Sequence, residues 1–292
     1  MFALAHLSDL HLSARPRPLD LFGKRGLGFI NWHRGRKHVF RSEVLDALTR
    51  DLKSFDVDHT AVTGDLVNFS VTAEYVRARA WLETLGPPTD VTVIPGNHDI
   101  YVPQARHWPA EFWGPYMQGD DGASPGTFPF LRRRGDIVLI ALSSALPTAP
   151  FSAAGQLGDK QLSRLAEALD QNCDRYRVIL VHHPPLSPPS RHMRRLTDAA
   201  AFRRVLAEKG AELVLHGHDH CFSLIWLDGP SKNIPAIGAP SASARAPHGH
   251  EDIAGYNLFH IDGEPGAWRC EMIERQRSTD GSVRELKRQK LS

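Results

Sequence analysis

Five short stretches of the chain gather aspartate, histidine and asparagine at close spacing. "SDLH" carries Asp9 and His11, and "GDLVN" carries Asp65 and Asn68. "GNHD" carries Asn97, His98 and Asp99, "HHPP" carries His182 and His183, and "HGHDH" carries His216, His218, Asp219 and His220. The donors are imidazole nitrogens with carboxylate and amide oxygens, and no thiolate joins them. That mixture suits borderline divalent ions such as Mn, Fe or Zn. There are too many donors for one tetrahedral zinc. Two ions sharing a carboxylate would use the set, and an ion pair can clamp the attacking and leaving oxygens of an in-line displacement at phosphorus. Glycine precedes Asp65, Asn97 and His218, where a sharp turn or a close backbone approach excludes a side chain.

The elements that must position these groups are legible as apolar, β-branched runs. "FALAHLS", "HTAVTG", "VTVIPG", "RVILVHH" and "ELVLHGH" each end at one cluster, and "IVLIALS" is a sixth run of the same kind. Helical spacing of apolar residues is found over 42–55, 72–85, 158–169 and 198–209. "TAEY" predicts Thr72 as an N-cap with acidic support from Glu74. Strands alternating with helices indicate an α/β layered fold. In such sheets, sites form outside the carboxyl ends of the strands, so the five clusters are expected to converge. After His220, "FSLIWLDG", "NIPAIGA", "YNLFHIDG" and "WRCEMIER" read as strands with no helix between them, which predicts a closing antiparallel element.

The 292 residues are 41% hydrophobic and 23% charged, enough for a sizeable core. One domain is expected over 1–275, with an insertion at 19–40 and a basic, flexible tail at 276–292. A formal net charge of +2, with no capping domain after the core, argues against nucleic acid as the partner. Cys173, Cys221 and Cys270 stand far apart without a CxxC spacing, which fits a reducing compartment. No run is long enough to span a bilayer, and "MFALAHLSDL" lacks the features of a signal peptide. The expectation is a cytoplasmic protein, with peripheral membrane contact left open.

Taken singly, Asp9 and His11 read equally well as a strand-end cap, and Asp65 as an Asx turn. Together and in order, D-x-H, G-D-x-x-N, G-N-H-D, H-H-P-P and G-H-x-H resemble the calcineurin-like metallophosphoesterase superfamily, over Asp9 to His220. The resemblance implies a four-layer α-β-β-α sandwich with helices outside two facing sheets, and a dinuclear centre. By position, it implies Asp9, His11 and His220 as ligands of one ion and Asn97, His182 and His218 as ligands of the other. Asp65 would bridge them. His98 would contact the phosphate and assist the leaving group, with Asp99 orienting His98. A water between the ions would be acidified and attack phosphorus, while His98 and the cations compensate developing charge. The H-x-P spacing selects His182 and leaves His183 as a neighbour or substrate contact. His216 reads as a strand-end residue and Asn68 as a loop residue. His33, His38, His59, His107, His192, His248, His250 and His260 read as surface or satisfied histidines.

Residues 19–40 interleave Lys24, Arg25, Arg34, Arg36 and Lys37 with Phe22, Leu27, Phe29, Ile30 and Trp32. Such a stretch suits an anionic membrane surface, a lipid substrate or nucleic acid, or a loop whose apolar residues pack on the domain. "KRGLGFINW" resembles a segment of the UDP-2,3-diacylglucosamine pyrophosphatases of lipid A synthesis. In "SPPSRHMRR", Arg191, Arg194 and Arg195 could clamp phosphate oxygens. The expected activity is hydrolysis of a phosphodiester or pyrophosphate. A cyclic nucleotide, as in class III phosphodiesterases, a glycerophosphodiester and a UDP-linked diacylated sugar are the competing substrates. A long apolar groove beside the ions would favour the lipid, and a small closed polar pocket the nucleotide. The alternative class is a scaffold of the same fold that has lost its ligands, against which every expected ligand position carries a competent residue.

Overall fold

The computed structural model describes every residue except 15, 35–37 and 248, and the backbone alone of residues 31 and 34. Arg36, Lys37 and His248 therefore lie outside the described residues, as does the side chain of Arg34.

The strands form two six-stranded sheets. The first runs β12 (Val283–Lys290), β11 (Arg269–Arg277), β10 (Gly255–Asp262), β1 (Phe2–Leu7), β2 (His59–Val62), β3 (Val91–Val93). The second runs β4 (Phe130–Arg134), β5 (Ile137–Ala141), β6 (Tyr176–Leu180), β7 (Leu213–His216), β9 (Ile234–Gly238), β8 (Ser223–Leu227). Alternation along the strands assigns the layers. Ile137, Leu139, Tyr176, Val178, Leu180, Leu213 and Leu215 join Leu4, Leu7, Val62 and Val93 of the first sheet in one core. The intervening Val138, Ile140, Ile179 and Val214 pack with Leu162, Leu165, Phe202 and Leu206 of α5 (Asp159–Gln171) and α6 (Ala199–Lys209). Successive side chains of a strand point to opposite faces, so β5, β6 and β7 are buried on both sides. Residues Val44, Leu45 and Leu48 of α2 (Ser42–Leu52), and Tyr75, Ala78 and Leu82 of α3 (Thr72–Leu85), pack in the core of the first sheet. This is the expected four-layer α-β-β-α sandwich. Each fully buried Leu or Phe in it contributes about 1.5–3 kcal/mol.

Several expectations are corrected. The strands after His220 do not form one antiparallel element. β8 and β9 belong to the second sheet, where β9 pairs parallel with β7, while β10 and β11 extend the first sheet beside β1. The tail does not fray: β12 pairs along β11, and Arg288 meets Glu271 at 2.7 Å across the ladder. Its charged side chains suit an edge strand exposed to water. Thr72 does not cap α3. Val71 holds the capping position, and the Glu74 carboxylate accepts from the N–H groups of Phe69 (2.9 Å) and Val71 (3.3 Å). Strand β4 and the short α4 (Trp108–Trp113) were not foreseen.

The insertion contains a helix, α1 (Lys24–Arg34). Phe29 and Trp32 pack edge-on against Phe69, with ring centroids 6.0 and 5.8 Å away. Arg25 donates to the carbonyls of Phe69 and Ser70. Gly28 lies so close to Tyr101 that a Cβ would stand 2.6 Å from its hydroxyl. Phe22, Leu27 and Ile30 remain exposed. Among the described residues, no helix is long and apolar enough to cross a membrane.

Candidate metal centre

Strand register continues past the strand ends and aligns the clusters. Thr63 donates to the Leu7 carbonyl, Asp9 to the Gly64 carbonyl and His11 to the Asp65 carbonyl, at 2.9–3.0 Å. The loop after β1 is thereby zipped to the loop after β2. In the second sheet, Gly217 donates to the His182 carbonyl at 3.1 Å. Among the bonds that cross between the sheets, the His218 N–H donates to Asp9 Oδ2 at 2.9 Å, and His182 Nδ1 to the Thr63 carbonyl at 2.7 Å.

The result is two groups of donors. Asp9 Oδ1, His11 Nε2 and His220 Nε2 stand 3.0, 3.1 and 3.8 Å from one another. His182 Nε2 lies 3.2 Å from Asn97 Oδ1, 3.3 Å from His218 Nδ1 and 3.5 Å from Asp65 Oδ2. Asp65 also clusters with His11 and His98, so it lies between the two groups. Donors held about 2.1 Å from one ion stand roughly 3.0–3.4 Å apart, so the residues present fit divalent ions. Because a carbonyl only accepts, the proton of a neutral His182 is on Nδ1, and Nε2 keeps a lone pair.

Local backbone shows what this convergence requires. Among the described residues, seven that are not glycine have positive φ, and five of them are Asp9, His11, Asp65, His218 and His220. Each such conformation costs on the order of 1–3 kcal/mol and persists only where surroundings enforce it. Gly64 has φ +96°, and a Cβ there would lie 2.8 Å from His182 Nδ1. At Gly96 a Cβ would collide with the Asp65 carboxylate, and at Gly217 with Ser8 and Asp9.

Electrostatics follow from burial. The interior disfavours charge on His220, but Asp9 and Glu251 outweigh it and raise the ring to about 9. The interior likewise opposes charge on His182, and Asp65 raises it to about 9. Asp65 and Asp9 are held below the ordinary carboxylate range by the neighbouring imidazoles, against the pull of burial. A paired carboxylate and imidazole is the state a cation would replace.

His98 lines the cleft. Its Nδ1 donates to the Asn68 carbonyl at 2.7 Å, and its ring stacks on Tyr101 at 5.4 Å. Asp99 does not orient it. The Asp99 carboxylate instead accepts from Gly96 N–H at 2.8 Å and Val67 N–H at 3.0 Å, tying together the loops after β2 and β3. The turn formed by residues 96–99 aims that side chain back into the backbone. Burial and nearby Asp65 push Asp99 up to about 8. Asn68 is a loop residue with a positioning task, since its Nδ2 donates to the His11 carbonyl at 2.6 Å. His216 closes β7 and is buried there.

The expected substrate contacts divide. His183 is fully buried, with Nε2 donating to the Ala153 carbonyl at 3.0 Å and Nδ1 accepting from Ser144 at 2.8 Å. Both ring nitrogens are used, and burial pushes it down to about 3, so it packs behind His182 and His218 rather than facing substrate. Arg191 pairs with Asp219, and Arg195 lies on a separate surface depression with Leu186 and Thr197. Only Arg194 of the three lines the cleft. Lys24 of the insertion lines it too, together with Tyr101, Phe151 and Ser152, which sequence reasoning did not place there. The charge of Lys24 was a visible signal, but its direction was not.

A calcineurin-like phosphoesterase family model matches residues 2–222. The chain belongs to the calcineurin-like phosphoesterase family. It is 30% identical over 182 residues to the 3',5'-cyclic adenosine monophosphate phosphodiesterase CpdA of Haemophilus influenzae. That alignment takes in 61% of this chain and 60% of that relative, less than two thirds of either. Among solved structures, the purple acid phosphatase PPD1 of yellow lupin shares the fold with a TM-score of 0.61 and 12% identity, over 97% of this chain and 52% of that one. The NAD nucleotidase NadN of Haemophilus influenzae does so with a TM-score of 0.52 and 11% identity, over 98% and 53%. All five donor clusters lie within the span of the family match, whereas β8 to β12 lie beyond it.

Proposed function

We propose that the protein is a dinuclear-metal phosphohydrolase that cleaves a phosphodiester or pyrophosphate. The carrying observation is the pair of buried donor groups that meet at Asp65 on the floor of one cleft. Asp9, His11 and His220 would hold one divalent ion, and Asn97, His182 and His218 the other, with Asp65 shared. Mn, Fe and Zn all suit this donor set. When bound, such ions supply an acidified water as nucleophile and offset charge on the phosphoryl oxygens.

The chain's own residues do the rest. His98 contacts a phosphoryl oxygen and passes a proton to the leaving oxygen, held by Asn68 and Tyr101. Its backbone N–H donates to Asp65 Oδ1 at 2.7 Å, which locks acid and shared carboxylate at one spacing. Lys24 and Arg194 supply positive charge at the cleft wall for an anionic substrate. Lys24 Nζ donates to Thr148 and lies 4.3 Å above the Tyr101 ring, so α1 is tied across the entrance.

The cleft of about 200 Å³ adjoins an apolar cavity of about 420 Å³ lined by Leu27, Ile30 and Pro150, with Lys24, Tyr101 and Phe151 common to both. This continuity favours a phosphodiester or pyrophosphate bearing an apolar arm, such as a UDP-linked diacylated sugar or a lipid glycerophosphodiester. Exposed Leu27, Ile30 and Phe151 around the entrance support contact with a membrane surface at the same place. Similarity to CpdA favours a second reading, a cyclic nucleotide. The test is hydrolysis of bis-p-nitrophenyl phosphate with Mn²⁺ and with chelator, then a panel of cyclic nucleotides, glycerophosphodiesters and UDP-diacylglucosamine. Folded protein with bound Mn²⁺ and no turnover of any phosphoester would return the protein to the scaffold class.

A further inference from the structure

Each donor group contains a histidine with a backing group behind its coordinating nitrogen, and the two backing groups differ. His182 is backed by a neutral acceptor, the Thr63 carbonyl. His220 is backed by a carboxylate: Glu251 Oε2 lies 3.0 Å from His220 Nδ1, an ion-pair contact rather than an aligned hydrogen bond. Both of these side chains are largely withdrawn from water, at 3% and 13% exposure. Glu251 lies outside the span of the family match, on the segment between β9 and β10.

The placement of Glu251 is built rather than incidental. Asp252 N–H donates to the His220 carbonyl at 2.9 Å, and the Asp252 carboxylate accepts from the Phe222 N–H at 2.8 Å. Cys221 Sγ donates to the His250 carbonyl at 3.0 Å. Residues 250–252 are thus stitched to residues 220–222, with Glu251 between two anchored neighbours. A carboxylate behind a coordinating imidazole fixes the proton on Nδ1, orients the ring and makes Nε2 a stronger donor. A backbone carbonyl orients equally well but adds no charge.

We infer that Glu251 is a positioning residue that makes the Asp9–His11–His220 group the tighter of the two ion sites. The inference rests on the dinuclear reading and adds an order of filling to it. Its chemistry is that of a divalent cation held by Asp9, two imidazoles and the shared Asp65, with a further carboxylate behind one imidazole.

The experiment is Mn²⁺ titration of apo protein by calorimetry, with retained metal counted after dialysis, for the unaltered chain, Glu251→Gln, Glu251→Ala and Glu251→Asp. The unaltered chain is expected to bind two ions with distinct affinities. Glu251→Gln and Glu251→Ala should weaken one of them by about 10–100-fold and leave the other unchanged. Glu251→Asp should recover part of the loss. Thermal unfolding of the apo proteins separates this from a fold defect, since Gln keeps the size of Glu. Unchanged affinities in both Gln and Ala variants, or equal weakening of both ions, would overturn the inference. Absence of any Mn²⁺ binding by the unaltered chain would instead overturn the dinuclear reading on which it stands.

Discussion

The backbone N–H of His98 donates to Asp65 Oδ1 at 2.7 Å, while Asp65 Oδ2 lies 3.5 Å from His182 Nε2. One carboxylate therefore holds both the peptide of the proposed acid and the space between the donor groups. The two residues come from different strand ends, yet neither can shift without the other.

Their substitution should separate two roles. His98→Ala is expected to keep both ions and lose about 10²–10⁴-fold in kcat, the usual worth of a positioned acid. Asp65→Ala is expected to lose both ions. Metal analysis of the two variants beside steady-state kinetics checks this. Collapse of metal content in His98→Ala would show that the imidazole is a ligand.

Asp99 should behave as a structural clamp. Asp99→Ala leaves the N–H groups of Gly96 and Val67 unpaired in the interior, which costs about 2–5 kcal/mol. Denaturant unfolding should show that loss in the apo protein, before any ion is added. An unchanged midpoint would contradict the role assigned to its carboxylate.

Lys24 makes the pH dependence specific. Burial lowers it to about 8, so it is a cation below that value and loses its charge as pH climbs past it. Affinity for an anionic substrate should therefore fall, and KM rise, through that range. Lys24→Met should raise KM about tenfold at neutral pH, in line with a lost hydrogen bond to a charged group, and flatten the rise. The observation that decides is KM against pH for both proteins.

The apolar cavity should discriminate between substrates. Leu27→Asp and Ile30→Asp place charge on lining residues that the metal cleft does not share. They are expected to lower kcat/KM for an acylated substrate by about tenfold or more, the worth of burying a few methylenes, and to spare bis-p-nitrophenyl phosphate. Equal losses on both would show that the cavity does not receive substrate.

Much of the molecule was legible before folding because its signals are local. Six apolar runs announced β1, β2, β3, β5, β6 and β7, and helical spacing announced α2, α3, α5 and α6. Strand β12 and helix α1 were missed because both depend on a partner: β12 on the free edge of β11, and α1 on Phe69 and Tyr101.

Sequence alone determined which donors exist and that they follow strand ends, since donor type and strand period are properties of single residues and near neighbours. Tertiary structure decided how they are used. It buried His183 behind the donors, turned Asp99 from His98 onto two peptide N–H groups, brought Lys24 and Tyr101 to the cleft, and set Glu251 behind His220. The physical reason is range. A hydrogen bond or a coordination distance is settled within a few tenths of an ångström between residues up to about two hundred positions apart, and only the packing of the two sheets sets that distance.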